Sequence, residues 1–266
     1  MTELFDPHNK ILIKIAVISD VHANAPALEV VLNDIKKKKA AEIWDLGDSV
    51  GYSPFPNEVL AYFRQEKVKG VIGNYDQKVL AFPVAQKKWR KEKAPAKYFS
   101  FQWASRCLSK VHKRYLKNLP EQRRMKRGGI RFLLVHASPL GIDEIVSEQT
   151  PLKRFLVLAK AARTDVILCG HSHFYFDKKI ANARFINPGS VGRSFDGKQS
   201  ASYAMLEIDR GKITVKRYRL SYDVDKNLKK MREGKFPSIL IDSIRLGRSI
   251  DELEQRYGAK QNSIIA

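Results

Sequence analysis

The chain has 266 residues, with 49 Lys or Arg against 28 Asp or Glu, a formal charge of +21, and 44% hydrophobic content. That apolar fraction supports a sizeable core and excludes a disordered polycation, and the length suits one α/β domain over residues 1–266. No run approaches 18 apolar residues, which excludes a membrane-spanning helix, and two cysteines, Cys107 and Cys169, are too few for a disulfide scaffold.

The polar start Met1–Asn9, followed by an apolar run Ile11–Ile18 interrupted by Lys14, reads as loop then strand and not as a signal peptide. A cytoplasmic location is therefore expected. Ala27–Lys38 carries Ala27, Leu28, Val31, Leu32 and Ile35 on one helical stripe, with Pro26 in the first turn. Ile43–Leu46 is a second strand, Pro56–Gln65 a helix and Val68–Ile72 a third strand. From Lys97 to Leu119 apolar residues recur every three or four positions, which predicts one long helix closed by Pro120. Gln122–Arg127 and Ile130–Val135 flank Gly128-Gly129, a hairpin signal. Thr150–Ala162 reads as helix and Asp165–Cys169 as strand. The last third predicts antiparallel strands at Phe185–Ile186, Ser202–Ile208 and Ile213–Leu220, then a basic helical tail over 223–266 punctuated by Pro237 and Gly247.

Each apolar run of the α/β part ends in polar, chemically capable residues. These are Ser19-Asp20-Val21-His22, Leu46-Gly47-Asp48-Ser49-Val50-Gly51, Gly73-Asn74-Tyr75-Asp76, Val135-His136 and Gly170-His171-Ser172-His173. Open α/β sheets place ligand sites at the carboxyl ends of their strands. Asp20 and His22, like His171 and His173, are two apart and would share one side of an extended segment. The glycine before Asp48, Asn74 and His171 would let the chain turn sharply. Two carboxylates, four imidazoles and one amide suit Mn, Fe, Zn, Ni or Co, and are too many for one ion. A lone D-x-H is equally well a turn with a satisfied histidine. Five such motifs in order point to a metal site.

This ordered set, S-D-V-H, L-G-D-S-V-G, G-N-Y-D, V-H-A-S-P and G-H-S-H, resembles the calcineurin-like metallophosphoesterase superfamily. Gly51–Val59 and Ile186–Gly192 further resemble its small bacterial and archaeal phosphodiesterase-like branch. The resemblance implies a four-layer α/β/β/α sandwich of two mixed sheets with a helical C-terminal tail. It implies Asp20, His22 and His173 around one divalent ion, Asn74, His136 and His171 around a second, and Asp48 bridging, with Mn favoured. It also implies phosphoester hydrolysis, of phosphodiesters foremost, by in-line attack of a hydroxide bridging the ions. The substrate would be a small phosphoester or nucleotide. Asn74, Tyr75 and Asp76 would form the catalytic group, with Asn74 and Tyr75 touching substrate. A nuclease using the same metals and a catalytically weak binding scaffold are the alternative readings.

One position departs from the pattern. Most of the superfamily has His where Tyr75 stands, and a phenol is a poorer proton donor near neutral pH than an imidazole. Asp76, which would steer that His, then loses its partner. Either Tyr75 is a tolerated variant of the branch, or the departure biases activity toward diesters or esters with good leaving groups. Asn187–Gly192 reads as a turn supporting the sheet end, or as a wall of the site. Cys169 reads as a core thiol and His112 as a surface histidine. The segment 84–131 holds sixteen Lys or Arg and two acidic residues, two-thirds of the excess charge, interleaved with Trp89, Tyr98, Phe99, Phe101, Trp103 and Tyr115. A solvated basic face is expected there, with a nucleic-acid partner as the competing reading.

Overall fold

The computed structural model describes residues 12–265. The predicted loop Met1–Asn9 and the first residue of the run begun at Ile11 lie outside the described residues. The chain opens with strand β1 (Ile13–Ile18), helix α1 (Ala25–Lys37), β2 (Glu42–Asp45), α2 (Pro56–Gln65) and the short β3 (Lys69–Gly70). Three helices follow, α3 (Asn74–Glu92), α4 (Pro95–Cys107) and α5 (Lys110–Lys117). Next come β4 (Gln122–Arg127), β5 (Ile130–Val135), α6 (Leu152–Ala162), β6 (Val166–Leu168), β7 (Phe176–Ile180) and β8 (Ala183–Asn187). The chain continues with β9 (Ala201–Asp209), β10 (Lys212–Leu220), α7 (Val224–Glu233), α8 (Ser238–Leu246) and α9 (Ile250–Ile265).

Two mixed five-stranded sheets result, ordered β10-β9-β1-β2-β3 and β4-β5-β6-β8-β7. Strand periodicity explains why they stack face to face. In β1, Ile15 and Val17 point into the layer between the sheets, while Ala16 and Ile18 pack under helices. In β5, Phe132 and Leu134 enter that same middle layer, and Leu133 and Val135 face α6. Both faces of these strands are buried, which is why they read as continuous apolar runs. Helices α1 to α5 cover the first sheet and α6 the second, giving the expected α/β/β/α layers. The C-terminal helices bury Leu228, Met231, Leu240, Ile244 and Ile250 against Tyr52 and Ala96. The tail is thus part of the body beside the carboxyl ends of the strands.

Local signals explain several boundaries. Asn24 caps α1, its side chain accepting from Ala27 N at 3.3 Å. The Gly128-Gly129 turn has both residues at positive φ, as a two-residue hairpin requires. The predicted single helix over Lys97–Leu119 is instead α4 and α5, broken at Leu108-Ser109. Ser109 caps α5 by accepting from His112 N, and Asn57 bonds both Cys107 O and Ser109 N across the break. A tertiary partner thus satisfies backbone groups that a continuous helix would have used internally. The third predicted strand shrinks to Lys69–Gly70, and β7, with three charged residues among its five, went unpredicted. Phe185–Ile186 belongs to β8, which runs parallel to β6 in the second sheet and not antiparallel beside β9.

Candidate metal centre

Parallel pairing of β1 with β2 and of β2 with β3 brings the loops carrying Asp20, Asp48 and Asn74 to one end of the first sheet. Parallel pairing of β5 with β6 does the same for His136 and His171 in the second. The loops then adopt conformations that propensity disfavours. Asp20, His22, Asp48, His171 and His173 all have φ between 48° and 63°, the left-handed region that costs a non-glycine residue about 1 kcal/mol or more. The expectation that Asp20/His22 and His171/His173 share one side of an extended segment therefore fails. With both members left-handed, Asp20 and His22 fall in one donor group, whereas His171 and His173 fall in two different ones. Of the preceding glycines, Gly47 does supply a turn at φ +91°. Gly73 and Gly170 serve close approach instead, since a Cβ would lie 2.1 Å from Asp48 N or 1.9 Å from Ser19 Oγ.

Asp20, His22 and His173 present donor atoms within 4.8 Å of one another, and so do Asp48, His136 and His171. Asp48 Oδ2 lies 3.7 Å from His22 Nε2 and 3.5 Å from His136 Nε2, facing both groups. His136 Nδ1 donates to Leu46 O at 2.8 Å and His173 Nδ1 to Arg193 O at 2.6 Å, with a longer contact of His22 Nδ1 to Val50 O at 3.4 Å. That pattern holds the proton on Nδ1 and leaves Nε2 lone pairs turned inward. His171 is reversed, its Nδ1 lying 3.2 Å from His136 Nε2. Ser19 Oγ and His171 N occupy Asp20 Oδ2. Asn74 Nδ2 donates to Asp143 at 2.5 Å, which turns its Oδ1 inward.

Two observations test whether this set fits a metal. Asp20 Oδ1 and Asn74 Oδ1 are buried with no hydrogen-bond partner, a cost that a cation would remove. The imidazoles are also neutral. Burial pushes His136 and His171 down to about 4 and holds His22 and His173 well below the ordinary range. Burial, with Asp48 beside it, raises the Asp20 carboxyl well above the usual range. Asp48 itself is pushed up to about 7, chiefly by burial. Neutral imidazoles and crowded carboxylates are a donor set that fits divalent cations.

The centre floors a cleft of about 340 Å³ lined also by Tyr52, Tyr75, Lys78, Lys97, Arg193 and Ile250. Of the seven candidate ligands, His22, Asp48, Asn74, His171 and His173 line the cleft, Asp20 and His136 are buried beside them, and Tyr75 forms a wall. Its ring stacks on Tyr52 at 4.5 Å, with the two hydroxyls in hydrogen-bond contact. Asp76 is fully buried behind that wall. It accepts from Val50 N and Gly73 N, both at 3.0 Å, so it is not left without partners in the absence of an imidazole. Asn187 donates to Gly170 O and Ser172 Oγ, and Ser190 Oγ to Asp20 O, so the Asn187–Gly192 loop supports the ligand loops. Cys169 is a buried thiol and burial pushes it up. His112 is not a surface residue: it is 9% exposed, with Nδ1 2.8 Å from Asn57 Oδ1.

Sequence reasoning missed Asp143, Lys78, Tyr52 and Arg193. Lys78, one helical turn after Asn74, carried a positional signal, Tyr52 lay unremarked within Gly51–Val59, and Asp143 and Arg193 carried none. In the basic segment, Phe101 and Tyr98 pack into the core, and Phe99 and Trp103 pack on Phe236. These rings serve packing, as a solvated basic face requires. Among the described residues, no helix is long and apolar enough to cross a membrane.

Residues 13–211 match the family model of the calcineurin-like phosphoesterase superfamily domain. An uncharacterised protein of Methanocaldococcus jannaschii is 32% identical over 259 residues, covering 88% of this chain and 98% of that protein. A metallophosphoesterase from Sphaerobacter thermophilus is 30% identical with a TM-score of 0.71, covering 89% of this chain and 99% of that one. A hypothetical protein from Pyrococcus horikoshii superposes with a TM-score of 0.79 at 23% identity over 87% of this chain and 97% of its own. That last likeness bears on the fold alone.

Proposed function

The chain belongs to the calcineurin-like phosphoesterase superfamily, and we propose that it hydrolyses phosphoester bonds, phosphodiesters foremost, at a centre of two divalent metal ions with Mn favoured. One observation carries this reading: the Asp20–His22–His173 and Asp48–His136–His171 clusters adjoin, with Asp48 Oδ2 3.7 Å from His22 Nε2 and 3.5 Å from His136 Nε2, and Asp20 Oδ1 and Asn74 Oδ1 are buried there without a hydrogen-bond partner. Bound divalent cations would act as Lewis acids on the phosphoryl oxygens and lower the pKa of water between them.

The chain supplies the rest. Asp20, His22 and His173 would hold one ion and Asn74, His136 and His171 the other, with Asp48 facing both groups. Leu46 O and Arg193 O keep His136 and His173 in the ligating tautomer. In the Tyr52–Tyr75 pair one hydroxyl donates to the other, which leaves one O–H for a substrate oxygen. Burial and Tyr52 push the Tyr75 phenol well above its ordinary value, so it acts as a neutral donor. The cleft volume falls within the range of small-ligand sites, which supports a small phosphoester or nucleotide over a polymer.

The test is hydrolysis of bis(p-nitrophenyl) phosphate with Mn²⁺, beside His136→Ala as contamination control. Metal-dependent turnover that disappears in the variant is expected. No turnover in clean wild type, or equal turnover in both, overturns the reading.

A further inference from the structure

Arg193 is 4% exposed and lines the cleft. Its guanidinium lies 3.5 Å above the Tyr52 ring and 5.0 Å from that of Phe195. Nη2 donates to Ser243 Oγ at 2.9 Å. Nε is buried with no partner, and among the described residues neither an acceptor for Nη1 nor a carboxylate within 4.0 Å is present. A buried cation is ordinarily paired, because leaving it unpaired forfeits its hydration without compensation. Stacking on Tyr52 accounts for one face of the group and leaves its in-plane donors unmet.

Its placement is tied to the centre twice over. The Arg193 N–H donates to Ser190 Oγ at 2.8 Å, and that hydroxyl donates to Asp20 O. The Arg193 carbonyl accepts from His173 Nδ1. The residue therefore moves as one piece with the Asp20–His22–His173 cluster. Of the lysines lining the cleft, Lys78 is engaged with Asp143 at 3.0 Å and Lys97 with Asp251 at 2.8 Å, while Lys93 is half-buried at the rim, 6.0 Å from the Trp89 ring. A neutral phenol, Tyr75, stands between Lys78 and Arg193. Among the described residues the buried cation without a carboxylate partner beside the first cluster is Arg193.

We propose that Arg193 grips a non-bridging oxygen of the phosphoryl group in this cleft, and that the C-terminal helices hold it there through Ser243. The assignment rests on the phosphoesterase reading. The planar fork of a guanidinium matches a tetrahedral oxyanion through two parallel N–H donors, and the stacked ring orients the fork in advance. Ser243 lies on α8, beyond the 13–211 span that matches the family. In turn it donates to Arg248 O at 2.6 Å, which fixes its own orientation. The tail thereby completes the substrate site and is not an appendage to it.

Titration of the Mn²⁺-loaded full chain with inorganic phosphate, followed by calorimetry, tests this directly. Arg193→Gln should weaken phosphate binding about 10–100-fold while Mn²⁺ stoichiometry stays unchanged. Its KM for bis(p-nitrophenyl) phosphate should rise in parallel. Arg193→Lys should recover part of the loss, and Ser243→Ala should weaken phosphate binding roughly 3–10-fold. Phosphate affinity in Arg193→Gln within twofold of wild type, even with a lowered melting temperature, assigns the residue to packing and overturns the proposal. If Arg193→Gln does not fold, unaltered affinity in both Arg193→Lys and Ser243→Ala overturns it equally. A wild type that binds Mn²⁺ and phosphate but turns over no phosphoester sinks the activity reading alone.

Discussion

Gly73→Ala isolates the close approach on which the shared carboxylate depends. Gly73 sits at φ −93°, ψ 168°, a conformation alanine adopts freely, so backbone strain plays no part. The added Cβ would meet Asp48 N at 2.1 Å and Asp48 Oδ1 at 2.2 Å. Restoring an ordinary contact near 3.4 Å requires a displacement of about 1.2 Å, against a tolerance of about 0.2 Å in metal–ligand distances. Overpacking of this kind costs about 1–3 kcal/mol, or roughly 2–12 °C in melting temperature at this chain length. The larger effect falls on the metals, because the displaced residue faces both clusters. Titration of the metal-free protein with Mn²⁺ should show at least tenfold weaker binding or loss of one equivalent. Gly141→Ala is the control, since its Cβ would meet only Glu144 Cβ, at 3.9 Å. Two full equivalents bound by Gly73→Ala within threefold of wild-type affinity would refute the packing argument.

Other expectations follow from the same geometry. Chelation by EDTA should lower the melting temperature by about 5–10 °C relative to protein holding Mn²⁺ at a hundredfold excess over Kd, and readdition should restore it; scanning calorimetry checks this. Tyr75→His should reduce the dependence of kcat/KM on leaving-group pKa across aryl and alkyl phosphodiesters, and identical slopes in both proteins would remove Tyr75 as the source of that bias. Burial alone would raise the Glu42 carboxyl, but hydrogen bonds from Arg127, Lys69 and Trp44 outweigh it and bring it down to about 2. Its folded value is the lower one, so the stabilisation is full above about pH 4.5 and fades as pH falls toward 2. Glu42→Gln should therefore flatten the acid limb of chemical denaturation by about 1 kcal/mol over that window, after allowance for solvent screening.

The clustering of the candidate ligands was legible because each motif follows an apolar run that reads as a strand, and because Asp, His and Asn at such points are uncommon as packing residues. The paired glycines marked the β4–β5 hairpin for a similarly local reason. What escaped was set by partners distant in sequence. Asn57 divides a stretch whose apolar spacing is continuous from Lys97 to Leu119. β7 is held by its pairing with β8 despite a Phe-Asp-Lys-Lys-Ile sequence. Asp76 found backbone donors in another loop, which no spacing rule announces.

Charge divides along the same line. The sequence alone establishes an excess of +21, two-thirds of it in 84–131, and supplies the expectation of a multi-donor metal site. Only the fold decides which charges matter to the centre. Most of the basic segment faces solvent, while Arg193, outside that segment and inconspicuous in the chain, is buried beside the candidate ligands by contacts with Tyr52 and Ser243. Residue chemistry is local, so a sequence states it; the field at a site depends on burial and distance, and those arise when remote segments pack.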